Sequence, residues 1–217
     1  MMAVAWDIET CPLPTETFSE SHAQRHEKEV AKQQDRHPHL TPDEASRRAR
    51  SFHPYLGWIC CISVVRGEIG GSLNDPYSWT AGSPEDEGDM LETFWDDIAP
   101  IGGGILWATF NGKDFDVPFL TARSARHGLS PTREDIIDTY PYNQKPHADL
   151  SKVWMNVSSS LEEMCFHLGV ASPKDGALKG SGVAEAVANG KLEQVREYCE
   201  RDVVATHQCL SALRWAF

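Results

Sequence analysis

Apolar and polar residues alternate from Ala3 to Glu9 (AVAWDIE), which predicts a strand with Val4, Trp6 and Ile8 on one face and Ala3, Ala5, Asp7 and Glu9 on the other. The chain is expected to leave the sheet at Cys11-Pro12-Leu13-Pro14. From His22 to His53 the pattern becomes polar, and a partly helical insertion broken near Pro38 and Pro42 is expected. Residues 57–65 (GWICCISVV) form a nearly continuous apolar run with β-branched residues, the pattern of a buried strand, and a further strand pair is expected between 68 and 80. Ser83-Pro84-Glu85-Asp86 joins a capping serine to a proline and first-turn acids. A helix is therefore expected to begin there and to carry Met90, Leu91, Phe94, Trp95 and Ile98 on one side.

Three glycines at 102–104 separate that helix from an apolar strand, Ile105 to Phe110. After Asn111-Gly112 a helix is expected from about Phe115 to His127, then a short strand near Ile136 to Thr139. Ser160 and Glu163 form a capping box for a helix through Leu168. Following Asn189-Gly190, the stripe Leu192, Val195, Cys199, Val203, Leu210 and Leu213 predicts a long amphipathic terminal helix. Strands interleaved with helices indicate an α/β fold around a mixed sheet flanked by helices. Residues 1–217 read as a single domain with the polar insertion at about 20–53, since a chain of this size buries roughly 70% of its unfolded surface.

The formal charge of −12 argues against a protein that coats nucleic acid through a broad basic surface. It is compatible with an enzyme that grips one strand end and concentrates acid where cations bind. The 22–53 stretch departs from the balance: it holds seven Lys or Arg, five Asp or Glu and five His. Arg47, Arg48 and Arg50 are its candidate phosphate contacts; a solvated, mobile insertion fits the same composition. The six cysteines form no C-x-x-C pair and sit mostly in apolar runs, so reduced thiols and a cytoplasmic location are expected. No apolar run approaches the roughly 18 residues that cross a bilayer, and Met1 to Thr10 lacks the pattern of an export signal.

Candidate chemistry lies in carboxylates. Asp7 and Glu9 must project from one face of their strand, with Cα atoms about 6–7 Å apart, so two like charges share a small space. Hard divalent cations with oxygen ligands relieve that repulsion. D-x-E alone equally fits a strand ending at solvent. Tyr198 and Asp202 lie one turn apart on the terminal helix, at the margin of its apolar stripe. In Phe110-Asn111-Gly112-Lys113-Asp114-Phe115-Asp116, either aspartate also suits a helix N-terminus. Asp116 is chosen over Asp114 because Phe115 and Phe119 bracket it and can anchor the helix that aims it.

Together W-D-I-E-T, F-N-G-K-D-F-D-V-P-F-L and Y-C-E-R-D resemble the three motifs of the DEDD superfamily of 3′-5′ exonucleases. The tyrosine subtype, with Tyr four residues before the last Asp, is the nearer match, and the resemblance is strongest to stand-alone enzymes similar to the proofreading domain of family B DNA polymerases. It implies a ribonuclease H-like fold and a catalytic set of Asp7, Glu9, Asp116, Tyr198 and Asp202. The four carboxylates would bind two divalent cations, Mg2+ or Mn2+: Asp7 bridging both, Glu9 and Asp202 completing the first, Asp116 holding the second. The implied reaction releases nucleoside 5′-monophosphates from a single-stranded DNA 3′ end, with Tyr198 orienting the attacking water.

Asn111, Phe115, His147 and Lys179 are candidate substrate contacts. His147 and Asp149 also read as structural, and Lys179-Gly180-Ser181-Gly182 as a connector. Terminal bases could stack on Phe18, Phe52, Tyr55, Trp107, Phe110 or Tyr142. Two other readings share these residues: an RNA-trimming exoribonuclease of the same fold, and a non-catalytic module that binds nucleic-acid ends.

Overall fold

The structure, a computed structural model, describes residues 1–154, 157–174 and 178–217. Its centre is β1 (Met2–Pro12), which pairs antiparallel with β2 (Gly57–Glu68) and parallel with β4 (Leu106–Thr109). With β3 (Tyr77–Thr80) outside β2 and β5 (His147–Asp149) outside β4, the five-stranded sheet runs β3-β2-β1-β4-β5 and is mixed, as the pattern predicted.

Both faces of β1 are covered, and its alternation decides by what. Val4, Trp6 and Ile8 join Trp79, Phe94, Trp95, Trp107 and Phe119 in an aromatic core beneath α3 (Glu87–Ile98) and α4 (Asp116–Arg126). Ala3 and Ala5 face Met164 and Cys165 of α5 (Leu161–Leu168) and Val203 and Leu210 of α7 (Leu192–Ala212). The small alanines let α7 lie close over the central strand, which matters because α7 carries Tyr198 and Asp202. A short helix, α6 (Val183–Ala188), precedes α7.

The polar insertion folds as two helices, α1 (Glu20–Arg36) and α2 (Pro42–Ser51), separated at Pro38 to Thr41. Thr41 and Glu44 form a capping box that starts α2, with Pro42 in its first turn. The hairpin is fastened where β1 ends: the Thr10 hydroxyl donates to the Ser51 carbonyl (2.7 Å) and the Arg50 guanidinium to the Leu13 carbonyl (2.6 Å). The approach is close enough to require glycine at 57, where a Cβ would lie 2.6 Å from the Arg50 carbonyl oxygen.

β1 ends at Pro12, within the Cys11–Pro14 stretch where the chain is expected to leave the sheet, but other expected boundaries are corrected. Residues 84–86 form a turn and α3 starts at Glu87, because Glu87 is pulled inward: it accepts from Ile59 N–H (2.7 Å), the Arg123 guanidinium (2.5–3.1 Å) and His127 Nε2 (2.9 Å). Residues 136–139 are no strand. Glu134–Ile136 form a 3-10 turn that inserts Ile136 into the core, and the edge strand comes later, at His147–Asp149, too short to produce a periodic signal. Of the strand pair expected at 68–80, one strand forms, with an isolated bridge between Gly67 and Leu73.

Candidate active site

Three segments distant in sequence converge on one point. Asp7 and Glu9 come from β1, beside a register shift between Glu9 and Thr10 where Cys60 of β2 is left out of the pairing. Such a bulge bends the strand and re-aims the side chains around it. The Cys60 thiol donates to the Glu9 carbonyl (3.3 Å), anchoring the irregular stretch.

Asp116 arrives from the turn after β4. Asn111 there takes the left-handed conformation (φ 66°), and Gly112 lies so near Thr109 that an added Cβ would be 2.3 Å from its hydroxyl oxygen. The buried Asp149 carboxylate secures the turn by accepting from Asn111 N–H (2.8 Å), Lys113 N–H (3.1 Å) and Ser151 (3.0 Å from N–H, 2.8 Å from Oγ). Lys113 is also buried, donating through Nζ to Asp138 and to the carbonyls of Tyr140 and Asn143 (2.7–3.1 Å). These constraints start α4 with Asp116 pointing inward. Its Oδ1 accepts from Ile8 N–H (3.1 Å), which puts it between Asp7 and Glu9 along the strand. Asp114 points outward and pairs with Lys152.

From the opposite side α7 brings Tyr198, Cys199 and Asp202. The Cys199 thiol fills the space beneath Asp7, 3.6 Å from its carbonyl and 3.7 Å from its Oδ2. Donor atoms of Asp7, Glu9 and Cys199 all lie within 4.8 Å of one another. One Asp202 carboxylate oxygen is buried with no hydrogen-bond partner among the described residues. A buried acceptor left without a donor is costly, and a cation is a suitable occupant for such a place.

The electrostatics agree. Burial raises the Asp7 carboxyl well above the usual carboxylate range, and the charges of Asp116, Glu9 and Asp202 raise it further. Glu9 is raised by burial and by Asp202. Asp116 is pushed up to about 7 by burial, although the Ile8 N–H and Asp7 favour its ionised form. Asp202 is pushed up to about 6 by burial, offset by Tyr198, Lys174 and Arg201. Burial and the neighbouring Asp202, Glu9 and Asp7 raise the Tyr198 phenol above its ordinary value, which keeps it protonated at neutral pH. Four carboxylates so placed cannot all ionise without positive charge among them, and their all-oxygen donors suit hard divalent cations.

A cleft of about 760 Å³ opens beside Tyr198 and Asp202, lined by Phe110, Asn111, Tyr142, Lys152 and Trp154 among others. Of the candidate substrate contacts, Asn111 lies in this cleft. Lys179 is exposed on a turn whose Gly180 adjoins the Tyr198 hydroxyl. Phe115 packs between Phe119 and Phe52, with ring centroids 5.5 and 5.6 Å away. His147 does not reach a surface: it is fully buried, with ring nitrogens 2.8 Å from Thr109 Oγ1 and 3.2 Å from the Asp138 carbonyl. Trp107 is likewise buried in the core and unavailable for stacking. Arg48 and Arg50 spend nitrogens on Gln33 and Leu13, and Arg47 is exposed. Glu87 and Lys113 went unnoticed in the sequence, where both resemble ordinary surface charges next to turns.

The mixed five-stranded sheet flanked by helices belongs to the ribonuclease H-like class of α/β folds. The family model described as a predicted 3′-5′ exonuclease related to the exonuclease domain of PolB matches residues 53–214, and the chain belongs to that family. No curated protein matches it. Among solved structures it is similar to the family B DNA polymerase of the hyperthermophilic archaeon Pyrobaculum calidifontis, at 17% identity and a TM-score of 0.65, over 98% of this chain and 24% of the polymerase. E. coli exonuclease I in complex with a dT13 oligonucleotide is 13% identical, with a TM-score of 0.44 over 98% of this chain and 41% of that one. The chain thus spans about a quarter of the polymerase's length. Among the described residues no helix is long and apolar enough to cross a membrane.

Proposed function

We propose that this chain is a metal-dependent 3′-5′ exonuclease that hydrolyses single-stranded DNA ends to nucleoside 5′-monophosphates. The observation that carries the reading is the convergence of Asp7, Glu9, Asp116 and Asp202 from three distant segments, with a buried Asp202 oxygen unpartnered among the described residues. These four side chains would hold two divalent cations, Mg2+ or Mn2+. Bound there, the cations would neutralise the scissile phosphate and lower the pKa of an attacking water.

The chain's own residues orient the reaction. Tyr198, held neutral by burial and nearby carboxylates, can donate to a phosphate oxygen or hold a water in line, but it is no base. The Asp149-braced turn fixes Asp116, so the cluster is built before substrate arrives, the condition under which electrostatic stabilisation is effective. Asn111, Phe110 and Tyr142 in the cleft offer polar and aromatic contacts for the terminal nucleotides.

The test is mononucleotide release from 5′-labelled single-stranded DNA and its RNA counterpart, with Mg2+, Mn2+ or EDTA. A ladder shortening from the 3′ end, dependent on metal and lost in Asp7→Ala, is the expected result. Faster trimming of RNA would reassign the substrate. No cleavage of either strand by folded protein would refute the activity.

A further inference from the structure

The α1–α2 hairpin stands beside the carboxylate site without contributing to it. None of the 17 residues of α1 is buried, and α2 holds the pair down through Ala45 and Ala49. Of the hairpin's cations, Arg25 and Lys32 are matched by Glu29, and Arg50 is committed to the Leu13 carbonyl. Among the described residues Lys28, Arg36 and Arg47 have no carboxylate at salt-bridge distance. Arg48 donates through Nε to Gln33 (3.0 Å), and its two terminal nitrogens make no hydrogen bond among the described residues.

Of these cations, Arg48 is linked to the site through aromatic rings. The Arg48 guanidinium lies 4.6 Å from the centroid of the Phe52 ring, which is 49% exposed. Phe52 meets Phe115, the residue that precedes Asp116. At the same end of the hairpin, Ser51 is tied to Thr10, the residue after Glu9. Arg48, Phe52 and Phe115 therefore form a row that ends at the residue before Asp116. The family match begins at residue 53, so Arg48 and Phe52 lie outside it.

We propose that the hairpin is a strand guide, an inference that rests on the exonuclease reading above. A single-stranded nucleic acid lays its phosphates on Arg47 and the free end of Arg48, and stacks a base on Phe52 as its 3′ end reaches the carboxylates. A polyanion approaching a chain of net charge −12 is repelled except where cations are concentrated, and the 22–53 stretch is locally positive. Stacking on an aromatic ring is tolerant of sequence, which suits an enzyme that removes every nucleotide in turn.

Binding is measured by fluorescence anisotropy with a labelled run of about twelve thymidylates in EDTA, which separates it from hydrolysis. Phe52→Ala is expected to weaken binding about tenfold, the worth of one base–aromatic stack, and Phe52→Trp to restore it. Arg47→Ala should lower the salt dependence of binding by about one phosphate contact. Unchanged affinity and salt dependence in both folded variants would overturn the guide, even if the native protein hydrolyses the strand. Equal affinity for polyglutamate, indifferent to Phe52, would overturn it in favour of an acidic protein partner. Binding that depends on Phe52 and Arg47 supports the guide, including where the native protein fails to hydrolyse DNA or RNA with metal and the exonuclease reading alone is lost.

Discussion

Replacing Asp116 by asparagine should make the metal-free protein more stable at neutral pH while abolishing activity. Asp116 is 2% exposed, and its pKa is raised from the ordinary 3.8 to about 7. Between those values the folded state holds a proton that the unfolded chain has released. Stability therefore falls as pH rises through this window, and the full penalty applies above pH 7. The difference in pKa corresponds to on the order of 4 kcal/mol at most. Asparagine is the same shape, keeps an oxygen to accept from Ile8 N–H, carries no charge, and offers an amide donor to Asp7. For a chain of this size each kcal/mol is about 2–4 °C, so a rise of up to roughly 8–16 °C is expected by calorimetry in EDTA at about pH 8. The gain should shrink at about pH 5, where the native carboxyl is itself protonated. Mg2+ or Mn2+ should raise the melting temperature of the native protein more than that of the variant. An Asp116→Asn protein that melts at or below the native temperature at pH 8 in EDTA would refute the reasoning, because the carboxylates would then not be in conflict.

Tyr198→Phe should lower kcat by about a hundredfold with KM and melting temperature nearly unchanged, since it removes only a donor; an equal fall in kcat/KM from KM alone would count against an orienting role. Glu87→Ala leaves the buried Arg123 and the Ile59 N–H without their acceptor and should cost about 3–5 kcal/mol in urea denaturation, while activity per folded molecule is retained. Burial lowers the His147 pKa from 6.5 to about 4, so across that window the unfolded chain holds the extra proton and stability drops as pH falls. His147→Gln, compared with the native protein at about pH 7 and about pH 4.5, should be less acid-sensitive by roughly 2–3 kcal/mol; identical sensitivity would show that the imidazole is not buried neutral.

Much of this molecule is set by local pattern. Alternation along residues 3–9 requires Asp7 and Glu9 to share a face whatever the rest of the chain does, because the period of a strand is two. Four residues of helix place Tyr198 beside Asp202 for the same kind of reason, and Asn111-Gly112 announces the reversal after β4. The amphipathic stripe of α7 and the capping box of α5 are local as well.

What pattern does not contain is which distant pieces meet. Only packing of α7 over Ala3 and Ala5, and of α4 against the other side of the sheet, brings Asp202 and Asp116 to Asp7. Glu87 reads as a first-turn surface acid until Arg123, His127 and Ile59 surround it. The same contacts move the start of α3. His147 reads as a possible phosphate contact until β5 buries it as a strut, and the bulge opposite Glu9 depends on pairing with a strand fifty residues away. Sequence determined the donor types and their local spacing, since these follow from backbone periodicity. Tertiary structure decided their burial, and burial sets the repulsion among the carboxylates.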